Sequence, residues 1–298
     1  MKKTKFGTTN LMVSRMGIGT SEIRNDSSRK VEEILTYAFD SGVNFVDTAA
    51  CYGDSEELIG KTIADRRDEF VLSTKAGHLV GTHSGQAWTA QTIRDSIERS
   101  LKRMNTDHLD IVHLHSCSIK VMEAGDVIQA LQDAKQAGKT RYIGYSGDND
   151  AAEWAIESSL FDSLQTSFNL VDQKARQKKV LSRAQDKGMG IIAKRPIANA
   201  VWKTHGMPSA YAREYYRRAG IMSEPGPIPG APAYPILIAL GFVLSHDEVD
   251  TAIVGTNDPE HMRENIEWYY RDLPLDRKVI DELHQRFDRF GLDWPQEA

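Results

Sequence analysis

Short apolar segments alternate with amphipathic segments along most of the chain. After a hairpin expected over 5–13, stretches with the composition of buried strands are followed by stretches in which apolar residues recur at helical spacing. In the first helical stretch, Ser27 stands where a cap is expected, and Val31 and Ile34 begin the apolar face. The pattern predicts strands over 15–19, the first half of 42–52, 70–75, 109–115, 142–146, 163–168, 190–194 and 250–254. It predicts helices over 28–40, 56–65, 89–104, 121–137, 151–158, 174–186, 210–218, 234–245 and 259–270.

Counted from residue 15, the pattern gives eight strands, each followed by a helical segment. Such alternation implies parallel strands with right-handed crossovers, and eight units in 298 residues predict a closed (β/α)8 TIM barrel with an N-terminal β-hairpin and long loops at the carboxyl-end mouth. The alternative fold is an open doubly wound sheet. That fold would be expected to carry G-x-G-x-x-G after its first strand, and Gly17-Ile18-Gly19-Thr20-Ser21-Glu22 does not complete this pattern. We therefore expect one barrel domain over 1–298.

Titratable side chains follow three successive predicted strands. Asp47 and Tyr52 follow the first of these strands, Lys75 ends the second, and His115 ends the third. Because an unpaired charge in an apolar interior is costly, Asp47 needs a cationic or hydrogen-bonding partner. The carboxyl ends of barrel strands share one mouth, so we expect these four side chains to converge there.

Composition and charge narrow the class of protein. The chain is 40% hydrophobic and 27% charged, with a net charge of -5 and no long basic run, which argues against nucleic-acid binding. No apolar run approaches the roughly 20 residues that span a bilayer, so we expect no membrane association and a cytoplasmic protein. Cys51 and Cys117 are too few for a disulfide framework. They are interpreted as free thiols lining a cleft, with a redox-sensing pair as the alternative.

The sequence His113-Leu114-His115 allows a second interpretation. Alternate residues of a strand face the same way, and a His-x-His pair can bind a metal in barrel hydrolases. Those sites usually place the pair on the first strand, whereas here it lies on the fourth, and the other histidines, His83 and His205 among them, fall mostly in expected loops or helices. We expect no metal, with His113 inside the barrel behind His115.

Six ordered motifs give the chain a specific resemblance. They are Asp47-Thr48-Ala49-x-x-Tyr52, Ser73-Thr74-Lys75, Leu109 to His115, Ile143-Gly144-Tyr145-Ser146, Gln165-x-x-Phe168-Asn169, and Val254-Gly255-Thr256 through Asn265. In order and spacing the chain resembles the aldo-keto reductase family over nearly its whole length. The resemblance implies NAD(P)H-dependent reduction of an aldehyde or ketone, reversibly. It implies that Tyr52 is the general acid, Lys75 lowers its pKa, Asp47 holds the lysine, and His115 orients or polarises the carbonyl.

The resemblance also implies a cofactor site. Ser146 and Gln165 would bind the nicotinamide carboxamide, the phosphate chain would lie along Lys194-Arg195-Pro196-Ile197, and the adenosine end would be surrounded by Thr256, His261, Glu264 and Asn265. The chain departs from the family where Gly147 replaces an asparagine and where Lys194-Arg195 replaces an aromatic residue and a serine. We expect Arg195 to reach the pyrophosphate, with an ion pair to a neighbouring helix as the alternative. Gly255 and His261 stand where NADP-preferring members often carry cations, so NADP(H) is expected on family habit, with use of both NADP(H) and NAD(H) as the alternative.

Substrate and assembly are less constrained by the sequence. The segment 199–233 is too long for an ordinary barrel connection, and we interpret it as a lid that shapes the pocket around a small-molecule carbonyl or alcohol substrate. An acidic substrate is expected if Arg213 or Arg217 faces the cleft. No heptad repeat indicates a coiled-coil interface, so we expect a monomer or weak oligomer. The alternative to an enzyme is a cofactor-binding regulatory or interaction module on the same barrel.

Overall fold

The computed structural model describes residues 1–81, 85–203 and 209–297. Within these ranges, eight parallel strands close into a barrel, which confirms the predicted fold. An antiparallel hairpin precedes the barrel, with Thr4 opposite Val13. The hairpin strands are β1 (Lys3–Lys5) and β2 (Met12–Ser14), and the barrel strands are β3 (Met16–Gly19), β4 (Phe45–Asp47), β5 (Val71–Ala76), β6 (Leu109–His115), β7 (Thr140–Ser146), β8 (Ser163–Ser167), β9 (Gly190–Lys194) and β10 (Thr251–Gly255).

Strands that follow one another in the chain are neighbours in the barrel, and β10 closes it by pairing with β3. In this register Asp47 lies beside Ser73, and Lys75 lies beside His113. Because every barrel strand runs in the same direction, the carboxyl ends of β4, β5 and β6 open at one mouth. The register therefore brings together the strand ends that carry the candidate catalytic side chains.

Helices surround the barrel, and they pack buried apolar side chains against it. The first begins where predicted, since the Ser27 side chain accepts a hydrogen bond from the Lys30 backbone N–H. Short 3₁₀ segments cover Ala64–Glu69 and Ala198–Lys203. The helices are α1 (Ser28–Asp40), α2 (Ser55–Thr62), α3 (Ala90–Arg103), α4 (Ile119–Ala124), α5 (Asp126–Gln136), α6 (Asn149–Ser158), α7 (Lys174–Gln177), α8 (Val180–Asp186), α9 (Arg213–Ser223), α10 (Pro235–Leu244), α11 (Pro259–Asp272) and α12 (Arg277–Phe290).

Two predicted helices are each divided in the structure. The helix expected over 121–137 is interrupted by Gly125, whose φ of 85° is left-handed, so α4 ends there and α5 begins. The helix expected over 174–186 is interrupted by Lys179, which has a φ of 56°. Apolar spacing alone did not reveal these breaks, because apolar residues continue at helical intervals on both sides. The sequence interpretation also did not include α12.

The hairpin closes the end of the barrel opposite the mouth. Phe6 and Val13 from the hairpin segment are fully buried against inward side chains of the strands, including Phe45 and Ile111. The main core lies between the outer faces of the strands and the surrounding helices. With one end sealed by apolar side chains, the carboxyl-end mouth is the opening available for a site.

No helix in the described part of the chain is long and apolar enough to cross a membrane.

Candidate active site

A cleft of about 480 Å³ opens at the carboxyl ends of the barrel strands. Among the predicted site residues, those along its lining are Asp47, Tyr52, Lys75, His115, Ser146, Gln165, Lys194, Arg195, Pro196 and Thr256. The other three, His261, Glu264 and Asn265, belong to α11, which begins just after the cleft-lining segment Gly255-Thr256-Asn257. The barrel thus brings ten of the thirteen predicted side chains to one cavity.

Asp47 and Lys75 form a buried ion pair at the base of the cleft. Lys75 Nζ donates to Asp47 Oδ2 at 2.6 Å and to the Thr48 carbonyl at 2.7 Å, and the Ser73 hydroxyl donates to Asp47 Oδ1 at 2.9 Å. Burial alone would lower the pKa of Lys75, but attraction to Asp47 and Tyr52 outweighs it and raises the pKa. The ammonium is therefore charged and held in place.

Tyr52 lies directly against this ammonium. Lys75 Nζ is 5.0 Å from the centre of the Tyr52 ring. We expected Lys75 to lower the pKa of Tyr52, and its charge does act in that direction. Burial has the larger effect, however, so the net pKa of Tyr52 is raised in this cleft. Lys75 thus acts on the pKa of Tyr52 in the predicted direction, and burial of the phenol opposes it with the larger effect.

His115 faces Tyr52 across the cleft. The two ring centres are 6.0 Å apart, with the planes at 82°. Burial, followed by the charges of Lys75, His78 and Lys194, lowers the pKa of His115 to about 2. The imidazole is thus neutral, with one nitrogen carrying hydrogen. The Cys51 thiol lies 3.5 Å from Nδ1, an arrangement that leaves Nε2–H to donate if the thiol donates to Nδ1.

His113 lies inside the barrel, below His115. It is fully buried, with Nδ1 at 3.2 Å from the Ser73 hydroxyl and Nε2 at 3.1 Å from the Ser163 hydroxyl. In the described residues, no group of three or more His, Cys, Asp or Glu side chains is arranged to hold a metal. His83 and His205 lie outside those residues. Both nitrogens of His113 are thus engaged by serines.

Ser146 and Gln165 line the same cleft as Tyr52 and His115. The Ser146 hydroxyl donates to Gln165 Oε1 at 2.7 Å, which orients the amide. Gln165 Nε2 is buried and has no hydrogen-bond partner in the described part of the chain. A buried N–H without a partner is unfavourable, so this amide fits a ligand that presents a carbonyl oxygen. A Cβ at Gly147 would lie 2.5 Å from the Tyr145 hydroxyl, which explains the glycine at this position.

The cations after β9 have partners that sequence reasoning did not identify. Lys194 Nζ lies 2.7 Å from Asp148 Oδ2, in a pair whose carboxylate is buried and whose lysine is partly exposed. Arg195 donates to the Glu297 carbonyl at 3.0 Å and to the Tyr211 hydroxyl. Arg195 therefore lines the cleft while its guanidinium contacts the C-terminal tail and the long segment. Its expected contact with a pyrophosphate stays a prediction.

Two nitrogen-bearing side chains near the predicted adenosine end, His261 and Arg263, face carboxylates. His261 Nε2 lies 3.8 Å from Asp258, and Arg263 Nη2 lies 2.8 Å from Glu33. Arg263 also lies 4.7 Å above the Tyr37 ring. The charge of Arg263 is therefore already balanced in part by Glu33.

The segment 199–233 contributes to the cleft on both sides of residues 204–208, which lie outside the described residues. Asn199, Ala200, Ser209 and Tyr211 line the cavity. The predicted short helix is present but covers Arg213–Ser223. Arg217 donates to Glu214 at 2.9 Å and stacks on Trp294, and neither Arg213 nor Arg217 is among the described residues of the lining. The structure therefore gives the expectation of an acidic substrate no support from these arginines.

Sequence reasoning missed the residues that organise this rim. Asp148 is a buried carboxylate, and Gln296 of the tail donates to Asp148 Oδ1 at 3.2 Å and to the Ser167 carbonyl at 2.8 Å. Glu297 continues this contact, since its backbone N–H donates to Asp172 at 2.9 Å. These partners are more than a hundred residues apart in the chain, so no local pattern could have paired them.

A sequence model described as the Aldo/keto reductase family matches residues 15–286. The match covers the whole barrel. The chain therefore belongs to the aldo/keto reductase family, and the resemblance inferred from its motifs is confirmed.

Individual relatives are distant but cover most of the chain. The uncharacterized oxidoreductase YqkF of Bacillus subtilis is 28% identical over 90% of this chain and 90% of its own length. The NADH-specific methylglyoxal reductase of Escherichia coli is 26% identical, over 97% of this chain and 100% of its own. An aldo-keto reductase of Bacillus halodurans, solved in its holo form, superposes with a TM-score of 0.80 at 22% identity and covers 96% of both chains. That structural likeness supports the barrel fold.

Proposed function

We propose that this protein reduces an aldehyde or ketone to an alcohol, reversibly, with a nicotinamide cofactor and with Tyr52 as the general acid. One observation carries the proposal: Asp47, Tyr52, Lys75 and His115 line one cleft at the barrel mouth. Membership of an oxidoreductase family supports carbonyl reduction in general. We further propose a small-molecule substrate and a cytoplasmic location.

The cleft fits a nicotinamide carboxamide on its Ser146–Gln165 wall. Gln165 Nε2 is a free donor for the carboxamide oxygen, and Ser146 holds the glutamine through Oε1. When bound there, the reduced nicotinamide would supply the hydride. We propose that the segment from Lys194 to Pro196 and residues around Thr256 hold the rest of the cofactor, with His261, Glu264 and Asn265 at its adenosine end.

Tyr52 is the proton donor in this proposal. When hydride reaches the carbonyl carbon, negative charge develops on the carbonyl oxygen, and the phenol gives its proton to that oxygen. The resulting phenolate would be stabilised by the Lys75 ammonium, which Asp47 holds at 2.6 Å. Because burial raises the pKa of Tyr52 in the protein without ligand, the phenol is protonated there. The charge of Lys75 then stabilises the phenolate as the proton leaves.

His115 is proposed to orient the carbonyl. Its low pKa keeps the imidazole neutral at physiological pH, so it donates a hydrogen bond without carrying a charge. A donor aimed at the developing oxyanion stabilises the transition state more than the ground state. Tyr52 and His115 would thus approach the same oxygen from two sides.

Replacing Tyr52 with phenylalanine tests the assignment. Tyr52→Phe removes the acidic proton and keeps the ring, so kcat for carbonyl reduction should fall by about 10²- to 10⁴-fold, or roughly 3 to 5 kcal/mol of transition-state stabilisation. Cofactor Kd should change little. A steady-state assay following loss of reduced-cofactor absorbance measures the first quantity, and fluorescence titration measures the second.

Tyr234→Phe is the matched control, because the Tyr234 ring is exposed and stacks on Trp268 away from the cleft. Its activity should equal that of the wild type. Full activity in Tyr52→Phe would reject the proposed proton donor. Tight cofactor binding by a wild-type protein that turns over no compound in a broad carbonyl panel would instead support the regulatory or interaction module.

The cofactor itself has two candidates. Family habit supports NADP(H), whereas the carboxylates facing His261 and Arg263 support NAD(H), because they compete with a 2′-phosphate for these two side chains. One relative, the methylglyoxal reductase of Escherichia coli, is NADH-specific by name. We propose that this protein uses both cofactors.

A further inference from the structure

Two lysines extend into the barrel mouth, and the proposed proton transfer uses only Lys75. The second, Lys194, ends β9 with its side chain 16% exposed and its ammonium 2.7 Å from Asp148 Oδ2. Burial lowers the pKa of Lys194, whereas the neighbouring carboxylate favours the charged form. At 2.7 Å from an ionised partner, the ammonium keeps its charge at neutral pH.

Asp148 is held in its ionised form by several donors. It accepts hydrogen bonds from the Thr166 hydroxyl at 2.9 Å and from the Ser167 backbone N–H at 2.6 Å. Gln296 of the tail completes this shell at 3.2 Å. Burial would raise the pKa of Asp148, but Lys194 and these hydrogen bonds lower it. Because these hydrogen bonds hold Asp148 in place, the ammonium paired with it is held in place as well.

The two charges of the Lys194–Asp148 pair lie at different distances from the cleft. Lys194 lines the cleft, whereas Asp148 is 6% exposed and is covered by the tail. The cleft thus faces the positive end of the pair. The charge of Lys194 also acts on His115. It lowers the pKa of that imidazole, although less than burial and Lys75 do.

Lys194 also lies close to the wall proposed for the carboxamide. In the β8–β9 register Gln165 pairs with Ile192, and Lys194 pairs with Ser167. Two residues along a strand advance by about 7 Å, so Lys194 lies roughly that far beyond the Gln165 level toward the mouth. A ring bound on this wall, within hydride reach of a carbonyl at Tyr52 and His115, lies near the ammonium.

Nicotinamide changes charge in the reaction, since the reduced ring is neutral and the oxidised ring is a cation. A fixed ammonium repels the cation and leaves the neutral ring almost unaffected. We propose that Lys194 makes the cleft bind the reduced cofactor more tightly than the oxidised cofactor, and so favours carbonyl reduction over alcohol oxidation. The inference rests on the proposed function, because it requires a nicotinamide at this wall.

Binding measurements test the inference without turnover. Quenching of tryptophan fluorescence gives the Kd of each reduced cofactor and of its oxidised partner, for NADPH with NADP⁺ and for NADH with NAD⁺. In the wild type, the oxidised form should bind at least about tenfold more weakly. Lys194→Met should reduce that ratio by about 5- to 20-fold, and Lys194→Arg should preserve it within about twofold.

Controls separate this effect from other roles of Lys194. Lys178→Met removes an exposed lysine that pairs with Glu153, and it should leave the ratio unchanged. If Lys194→Met weakens both redox forms equally, the residue binds a phosphate or supports the fold, and the inference is overturned. Should Lys194→Met fail to fold, the double variant Lys194→Met/Asp148→Asn leaves no unpaired charge and should also lower the ratio.

The wild-type ratio decides the matter even if both variants fail to fold. Equal affinity for the two redox forms would overturn the inference and leave the proposed reductase intact. Absence of binding by all four nucleotides would overturn the proposed function together with it.

Discussion

The two histidines of β6 have different neighbours although only one residue separates them. His113 is enclosed between Ser73 and Ser163, and His115 faces the cleft beside Tyr52. Burial, and then the charge of Lys75, lowers the pKa of His113 to about 3. The inner histidine is thus a neutral hydrogen-bonding part of the barrel interior, whereas the outer one is available to a substrate.

This burial predicts a pH-dependent difference between the wild type and His113→Gln. The unfolded chain binds a proton to His113 below about pH 6.5, but the folded protein does not until about pH 3. The free energy of unfolding of the protein therefore falls as the pH falls through this window, by up to about 1.4 kcal/mol per pH unit. Glutamine does not titrate. The free energy of unfolding of the wild type should therefore fall relative to that of the variant between pH 7 and pH 5. Urea denaturation at both pH values measures the two free energies of unfolding, and a difference that stays constant with pH would contradict the prediction.

At the scale of the elements, α2 and α3 approach each other closely through a glycine. A Cβ at Gly60 would lie 2.2 Å from the carbonyl oxygen of Arg103, at the end of α3. Backbone atoms cannot move aside as a flexible side chain can. The close contact between α2 and the end of α3 therefore depends on the absence of a side chain at Gly60.

Two helical glycines provide a matched test of this contact. Gly60→Ala should lower the free energy of unfolding by about 1 to 3 kcal/mol, because it forces the two helices apart. Gly220 in α9 has no atom near its would-be Cβ, so Gly220→Ala should be neutral or raise stability by up to about 1 kcal/mol. Thermal or urea denaturation distinguishes the two variants. Equal effects would show that helix propensity alone governs both positions.

At the scale of the whole molecule, the distribution of charge around the cleft bears on cofactor choice. Lys75 and Lys194 line the cleft together with Tyr52 and His115, and each has a carboxylate partner. Toward β10, Glu22 lines the same cleft beside Gly255, with its Cγ 3.4 Å from the Cβ that this glycine lacks. A carboxylate there disfavours an additional phosphate and is compatible with a ribose hydroxyl.

These charges predict weak discrimination between the two cofactors. The values of kcat/KM for NADPH and NADH with one test aldehyde should differ by less than about tenfold, since that ratio corresponds to 1.4 kcal/mol. Steady-state assays with both cofactors measure this ratio directly. A preference for NADPH of a hundredfold or more would show that a cation is available to the 2′-phosphate despite Glu33 and Asp258.

The barrel and the position of the candidate site at its mouth could be predicted from the sequence because both depend on local patterns. Strand-helix alternation identified the eight barrel strands, and the titratable residues at the ends of β4, β5 and β6 indicated where a site would lie. That 1–298 is a single domain stays a prediction, as does the expectation of a monomer or weak oligomer. Helix breaks were less accessible, because Gly125 and Lys179 interrupt helices through backbone angles that apolar spacing does not encode.

The partners of the mouth residues were beyond sequence reasoning because they depend on distant contacts. Lys194 at the end of β9 meets Asp148, which follows β7, across the intervening strand β8, and Arg195 meets Glu297 after a separation of 102 residues. The net pKa of Tyr52 belongs to the same category, because it depends on burial as well as on Lys75. Residue types specified which chemistry was possible, whereas packing set the depth, charge and neighbours of each group, and these follow from where the closed barrel places the chain.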